Sequence, residues 1–323
     1  MLNNRPKISV FSTCKNGARF LQETIESVLN QSYTDYEHVL VDGGSTDGTI
    51  DILRKYKHLR WISEPDENPN EGFHKALAMT RGEYLMVSCI SDGFLSRNWF
   101  QQCVDVLDND PEVSLVYGLA QYMTEDGSLG KIAQSHLLEH KPPQKMDYLP
   151  FWLATFMVYS ELTYCVRADV YKQCFPKSDS IEYFDRTNPF LKFIYNFNTM
   201  GYLPFFLPVV ASFGRIHSGS QNNTLDEIII KTRDMYNNNI IMYRNKILRG
   251  KKTHIFRDGA SNVIKVIEPA DLRFYRRKVL KYRLFQKNRG NYPDVLNLQF
   301  WKMVMKKKIN KYKKNLLNFK EKN

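Results

Sequence analysis

Two short stretches hold most of the polar chemistry of the first half of the chain. Residues 41–49 read VDGGSTDGT and residues 88–95 read SCISDGFL. In the first, Asp42 closes an apolar run, where a carboxylate can accept a hydrogen bond from an N–H of a bound molecule. In the second, Asp92 is the one carboxylate. A single carboxylate holds a hard cation when the ligand and water supply the remaining oxygens, as Mg²⁺ sites with one or two carboxylates do. Cys14 and Cys89 have no partnered histidine to make either a nucleophile.

The elements that must position these groups alternate. KISVFST is a β-branched strand, and NGARFLQETIESVLNQ places Phe20, Leu21, Ile25, Val28 and Leu29 at helical spacing. YEHVLVD is a second strand and TDGTIDILRKY a second helix, which Asp47 or Thr46 can cap. LRWIS, FHKALAMTR, EYLMVS, NWFQQCVDVLD and VSLVYG continue the pattern. Strands separated by helices of this length predict an α/β fold with a mostly parallel, doubly wound sheet. Such sheets bind ligands beyond the carboxyl ends of their strands. That rule gathers Thr13, Cys14, Asp42, Asp66 and Asp92 around one crevice.

Bulk properties narrow the setting. A chain of 323 residues, 43% hydrophobic, can bury one good core and carry a further element. Five cysteines, odd in number and without CxxC spacing, argue against a disulfide framework or zinc site and for a reducing compartment. The start, MLNNRPKISV, lacks the apolar stretch of a signal peptide, which predicts a cytoplasmic protein. YLPFWLATFMVY and GYLPFFLPVVASF are shorter than the ~18–20 residues of a bilayer span and read as core. Charge is split: residues 1–215 carry 20 basic and 26 acidic side chains, residues 216–323 carry 26 and 8. The net +12 is therefore a property of the C-terminal third, which suits docking to phosphates.

PKISVFSTCKNGARFLQETIESVLNQSY, EHVLVDGGSTDGTIDIL, WISEPD, RGEYLMVSCISDG and VSLVYGLAQYMTEDG stand in the order and spacing of family 2 glycosyltransferases of the GT-A fold, which the chain resembles over roughly residues 6–220. The resemblance implies a GT-A, Rossmann-like, mostly parallel sheet flanked by helices, over residues 1–222, with a basic helical region at 223–323. It also implies a nucleotide-sugar donor, UDP-linked, bound by Thr13, Cys14, Asn16, Asp42, Asp66, Lys75 and Ser91. Asp42 would accept from the donor base and Asp66 would shape the nucleoside pocket. The family's Asp-x-Asp stretch aligns with Cys89-Ile90-Ser91-Asp92, leaving Asp92 as the implied ligand of Mg²⁺ or Mn²⁺. SDSIEYFDRTNPFLKF resembles the family's acidic motif, with Asp185 or Glu182 as base; Asp179 is a further candidate, and strict alignment could equally place Asn188 there. FGRIHSGSQN resembles the closing R-x-H-x-G-S segment, which implies Arg215 at the diphosphate and His217 at the diphosphate or the metal. His74 and Lys75 stand where the family often has Asn-Lys.

DEIIIKTRDMYNNNIIMYRNKIL and ADLRFYRRKVLKYRLFQK read as helices, and FWKMVMKKKINKYKKNLLNF as an amphipathic one. From Lys302 to Lys322 there are nine lysines and one glutamate, which suits an anionic membrane surface or a second subunit. The expectation is an inverting transferase, peripheral on the cytoplasmic face of a membrane, acting on a hydroxyl of a glycan or lipid-linked glycan in capsule or lipopolysaccharide synthesis. Its rivals are a non-catalytic nucleotide-sugar-binding relative and a nucleic-acid-binding protein. Against the latter, no nucleic-acid module or stacking aromatic sheet is legible.

Overall fold

The structure, a computed structural model, describes residues 5–66, 69–177, 179, 180, 182, 188–217 and 226–287. β1 (Ile8–Cys14), α1 (Ala18–Leu29), β2 (Tyr36–Asp42), α2 (Thr49–Lys55), β3 (Leu59–Ser63), α3 (Pro69–Met79) and β4 (Tyr84–Val87) follow with short connections. Next come β5 (Gly93–Phe94), α4 (Trp99–Asn109), β6 (Val113–Met123), β7 (Leu129–Ile132), α5 (His136–Glu139) and α6 (Tyr148–Thr155). β8 (Tyr164–Arg167), α7 (Ala168–Cys174), α8 (Pro189–Met200) and β9 (Leu203–Arg215) complete the sheet region. Beyond it lie α9 (Asp226–Leu248), β10 (Ile255–Arg257), β11 (Val263–Val266) and α10 (Leu272–Lys287).

Periodicity explains the seating. α1 buries Leu21, Ile25 and Val28, three apolar positions of one helical face, whereas Leu29 stays exposed and Phe20 half-buried. β1 and β2 are almost wholly buried because helices cover both faces of a parallel sheet. The YLPFWLATFMVY run becomes α6, with Tyr148 to Ala154 all buried, as an all-apolar helix must be.

Among the described residues the main sheet has nine strands in the order β3-β2-β1-β4-β8-β6-β9-β5, with β7 beside β6. β1, β2, β3 and β4 are parallel neighbours, and β6 pairs parallel with β9. β8 runs antiparallel between β4 and β6, and β5 runs antiparallel to β9. Registers of Cys14 with Asp42 and of Asp42 with Ser63 bring the carboxyl ends of β1, β2 and β3 level. The mostly parallel α/β sheet is that expected from the sequence; the reversed strand β8, read from no pattern, inserts a second direction beside β4.

α9 and α10 form where helical spacing predicts them, and they share the sheet's core. Tyr236, Ile240, Tyr243, Ile247, Tyr275 and Val279 lie in one buried cluster with Phe11, Val39, Tyr117 and Trp152. The Trp152 indole N–H donates to the Tyr236 hydroxyl at 2.9 Å. Gly201 ends α8 at φ +87°, and a Cβ there would stand 1.7 Å from the Ile255 carbonyl oxygen, so only glycine lets β10 dock at that point. No described helix is long and apolar enough to cross a membrane. The lysine-rich run from Lys302 lies outside the described residues.

Candidate active site

The loop after β2 is built by its own side chains. Asp42 is fully buried and accepts from Gly44 N–H (3.1 Å), Ser45 N–H (2.9 Å), the Ser63 hydroxyl (2.7 Å), the Cys14 thiol (3.4 Å) and the Ser45 hydroxyl. Burial pushes its carboxyl up, but these donors outweigh that and hold it below the usual carboxylate range. Asp42 thus spends its lone pairs on the loop. Asn16 does related work: its Oδ1 accepts from Thr46 N–H (2.9 Å) and its own N–H donates to the Ser45 hydroxyl (2.7 Å). Asp47 serves two helix starts, accepting from Ala18 N–H at 3.0 Å and from Thr49 N–H at 3.1 Å. The N-cap position of α2 is Gly48, so Asp47 acts one residue ahead of the cap expected for it.

Asp66 meets the same loop from the end of β3. A Cβ on Gly43 would lie 2.6 Å from both Asp66 carboxylate oxygens, and one on Gly72 would lie 3.0 Å from the nearer of them. Two glycines therefore make the space that Asp66 occupies, and Lys15 pairs with it at 3.2 Å. Thr13 is half-buried at the end of β1. Burial and the Asp42 charge push the Cys14 thiol well up, which leaves it protonated and inert. Lys75 is held by Glu71 (3.0 Å) and Glu64 (3.3 Å), and His74 packs edge-on to Phe175.

The loop after β4 is organised differently. Ser91 takes a left-handed backbone, φ +83°, that side chains other than glycine rarely adopt. Asp92 follows. Its Oδ1 accepts from Arg215 N–H at 2.8 Å, and its carbonyl accepts from the Thr24 hydroxyl at 2.8 Å. Among the described residues its other carboxylate oxygen has no hydrogen-bond partner. Burial first, and the charge of Glu161 after it, push the Asp92 carboxyl up to about 7 against the pull of Arg215.

Arg215 itself is buried and committed. Its guanidinium pairs with Glu23 and donates to the carbonyls of Ser91 (3.3 Å), Thr124 (3.1 Å) and Glu125 (3.3 Å), with Phe20 against its face. Its backbone N–H meets Asp92, but a diphosphate, the partner expected for it, could reach its guanidinium donors only by displacing these partners. The His217 ring lies 4.9 Å from that of Phe20, so both residues of the closing motif gather on α1.

On the acceptor side the picture is partial. Glu182 is exposed and pairs with Lys192 at 3.1 Å, Asp179 is exposed in a turn, and Asp185 lies outside the described residues. Asn188 caps α8, its Oδ1 accepting from Leu191 N–H at 3.1 Å.

Residues 9–169, about half of the chain, match the sequence model described as Glycosyl transferase family 2. The chain belongs to glycosyltransferase family 2. Over 132 residues, 40% of the chain, this glycosyltransferase is 29% identical to chondroitin synthase of Escherichia coli, but the match covers only 19% of that protein. It is 34% identical to the putative teichuronic acid biosynthesis glycosyltransferase TuaG of Bacillus subtilis over 91 residues, 26% of this chain and 36% of TuaG. The chain thus spans well under half the length of these relatives. Its fold is similar to that of S. aureus TarS 1–349 in complex with UDP-GlcNAc, with a TM-score of 0.54 at 16% identity over 87% of this chain and 73% of that one. It is also similar to mannosyltransferase PcManGT of Pyrobaculum calidifontis in complex with GDP-Man and Mn²⁺, with a TM-score of 0.51 at 14% identity over 88% and 84%. These likenesses agree with the GT-A architecture implied by the sequence.

Glycosyltransferases of the GT-A fold commonly use a divalent metal. Among the described residues no group of three or more His, Cys, Asp or Glu side chains gathers to hold one. The free oxygen of Asp92 nonetheless fits a hard cation whose shell is completed by ligand oxygens. Two participants escaped the sequence. Glu23 anchors Arg215, with nothing to mark it among the acids of α1. Glu161, half-buried in a single helical turn (Glu161–Thr163) before β8, comes close enough to Asp92 for the two charges to repel. Its one signal was being the only carboxylate in the apolar run FMVYSELTYCV.

Proposed function

We propose that the chain transfers a sugar, with inversion at the anomeric carbon, from a UDP-linked donor to a hydroxyl of a growing glycan or lipid-linked glycan in capsule or lipopolysaccharide synthesis. The observation that supports it most directly is Asp92, fixed through one oxygen by Arg215 and open at the other, beyond the carboxyl end of β4 within the family segment. The relatives named chondroitin synthase and TuaG support a polysaccharide product, and the TarS complex with UDP-GlcNAc supports a UDP donor.

The nucleoside would lie over the β1–β3 loops, with Asp66 at its edge and Asp42 and Asn16 holding the loop in shape. A cation, Mg²⁺ or Mn²⁺, held by Asp92 with the diphosphate oxygens would neutralise charge on the leaving group. Asp185, with Glu182 as the alternative, takes the proton of the acceptor hydroxyl. The acceptor oxygen then bonds to the anomeric carbon as the bond to the diphosphate breaks, and the departing pair stays on the nucleotide. One displacement from the opposite face inverts the centre.

Residues 223–323 serve in this reading as a basic region that keeps the enzyme on the cytoplasmic face of an anionic membrane. At roughly 1 kcal/mol per lysine near the surface, deleting residues 300–323 should release the protein from anionic vesicles; equal vesicle binding by the truncated protein would sink the anchoring role. The donor reading is tested by calorimetry with UDP and GDP in EDTA, followed by NMR of the anomeric proton of the product. UDP binding and an inverted product are expected. Failure of every nucleotide to bind removes the reading, and binding without turnover on any acceptor favours the non-catalytic relative.

A further inference from the structure

We propose that the outer face of α10 lies flat on an anionic lipid surface and fixes which side of the enzyme meets the membrane. This rests on the membrane reading above and goes beyond it by naming a folded surface and an orientation, neither of which the lysine run from Lys302 supplies.

The helix has two faces of opposite character. Tyr275, Val279 and Tyr282, at i, i+4 and i+7, are buried in the core, and the Tyr282 ring packs edge-on to Phe151 with centroids 5.4 Å apart. Arg273, Arg277, Leu280 and Leu284, at i, i+4, i+7 and i+11, form the opposite strip, flanked by Phe274 and Lys281. Arg273, Phe274 and Arg277 are exposed, Phe274 at 51%, and both leucines stay partly open to solvent. α10 carries seven basic side chains and no acidic one. Lys278 pairs with Asp147, and the Arg276 guanidinium donates to the Leu248 carbonyl at 2.7 Å, but among the described residues Arg273 and Arg277 have no ion-pair partner. Around the end of α9 that Arg276 touches, Lys246, Arg249, Lys251 and Lys252 are exposed, and no acid occurs from residue 235 to 257.

This mixture selects the partner. On a lipid interface the arginines reach the headgroup phosphates while Phe274, Leu280 and Leu284 enter the acyl boundary below them. A nucleic acid would take the charges and leave the apolar groups in water. The chain that continues from the end of this helix, residues 288–323, adds ten basic and two acidic side chains, so attraction to an anionic surface grows from the same place.

Orientation follows from α6. Lys278 pairs with Asp147 and Tyr282 packs on Phe151, the same offset four residues apart, so α10 runs parallel to α6. α6 begins by the amino end of β6, where Lys145 pairs with Asp110 (2.9 Å) and Glu112 (3.0 Å). Beyond its end the Val158 carbonyl accepts from the Gln134 side chain at 2.9 Å, next to Ala133, whose N–H donates to Ala120 well along β6. α10 therefore points toward the carboxyl ends of the strands, the end at which Asp92 lies. Sixteen residues at 1.5 Å each give a contact of about 24 Å along the side of the enzyme. An acceptor held in lipid would meet the crevice from that side.

The experiment sediments the full chain with vesicles of phosphatidylglycerol and phosphatidylcholine, comparing Arg273→Glu/Arg277→Glu with Lys55→Glu/Lys57→Glu. Both doubles change the net charge equally at exposed positions, but Lys55 and Lys57 adjoin α2, whose Leu53 packs with Leu40 on the sheet face opposite the one that Tyr275 shares with Val39 and Val41. The α10 double should weaken partition about thirtyfold or more and the α2 double by less than about threefold. Phe274→Ala should weaken it about fivefold. Thermal unfolding should match wild type in all three; should the α10 double not fold, Arg273→Gln/Arg277→Gln against Lys55→Gln/Lys57→Gln makes the same comparison. Equal losses in the two doubles would mean that binding follows overall charge, and overturn the face. Wild-type partition by the α10 double also overturns it, while the membrane reading stands on the lysine run. If wild type does not bind the vesicles, both fail. Tighter retention of wild type on duplex RNA than on the vesicles overturns the lipid assignment.

Discussion

The loops beyond β1–β3 and the loop beyond β4 are assembled on opposite plans. Beyond β1, β2 and β3, polar side chains satisfy one another: Asp42 gathers five donors and lies below the usual carboxylate range, while Asn16 and Asp47 stitch the same loops. Beyond β4, Asp92 meets one donor from Arg215, repels Glu161 and is pushed up to about 7. The first set of loops is held in shape by its own side chains. The second leaves one Asp92 carboxylate oxygen without a hydrogen-bond partner among the described residues.

Substitutions at four residues would break or sharpen this contrast. The largest effect belongs to Asp92→Asn, which keeps volume and removes charge: turnover should fall about 100- to 1000-fold, roughly 3–4 kcal/mol of transition-state stabilisation, with UDP affinity in EDTA unchanged. Steady-state kinetics beside calorimetry would check it, and full activity would deny Asp92 any part in the chemistry.

Asp42→Ala comes next, at about 2–3 kcal/mol of stability, because buried donors of Gly44, Ser45 and Ser63 lose their acceptor. The pH dependence has a definite sign. The folded carboxyl titrates below its unfolded value of about 3.9, so its contribution is whole above that pH and drains away as pH falls through the folded value. Denaturant unfolding of Asp42→Asn should accordingly show a shallower loss toward acid than wild type; parallel curves would show that Asp42 is not the organising charge.

Arg215→Lys keeps the charge but loses the planar fork that reaches Glu23 and the carbonyls of Ser91, Thr124 and Glu125, and should cost about 1–2 kcal/mol in thermal unfolding. It should also slow turnover, since β9 then holds Asp92 less firmly; wild-type behaviour in both would uncouple the clamp from the site. The smallest effect is expected for Ser91→Gly, which relieves the left-handed backbone and should stabilise by about 0.5–1 kcal/mol. Destabilisation would mean that the Ser91 side chain contributes more than its strain costs.

How much of this was legible follows the same division. The loop after β2 could be read because its residues are neighbours in sequence, where strand, turn and helix periodicities apply. Apart from the two-residue β5, the order of strands and helices up to β6 was legible for the same reason, as were α9 and α10. Glu161 and Glu23 were not, because they reach Asp92 and Arg215 through strand pairing and helix packing across long sequence separations. Arg215 was read from its motif as a phosphate partner, yet the fold fills its donors with carbonyls that no local pattern reveals. The β10–β11 hairpin, which depends on Gly201 to dock, was likewise invisible before the core was assembled.

The shared core of the sheet and the C-terminal helices has a bearing on where this chain can be cut or spliced. A break between residues 217 and 226 falls at the end of the resemblance, yet it would strip Tyr236, Ile240, Tyr243 and Tyr275 from the faces of α6 and α8 and leave Trp152 without its hydroxyl partner. Fusion partners or truncations placed there should yield insoluble protein, whereas a boundary after α10 leaves that apolar surface covered. The smallest portable unit of the chain is thus longer than the segment that matches the family, and exchange of that segment between relatives has to carry the trailing helices along.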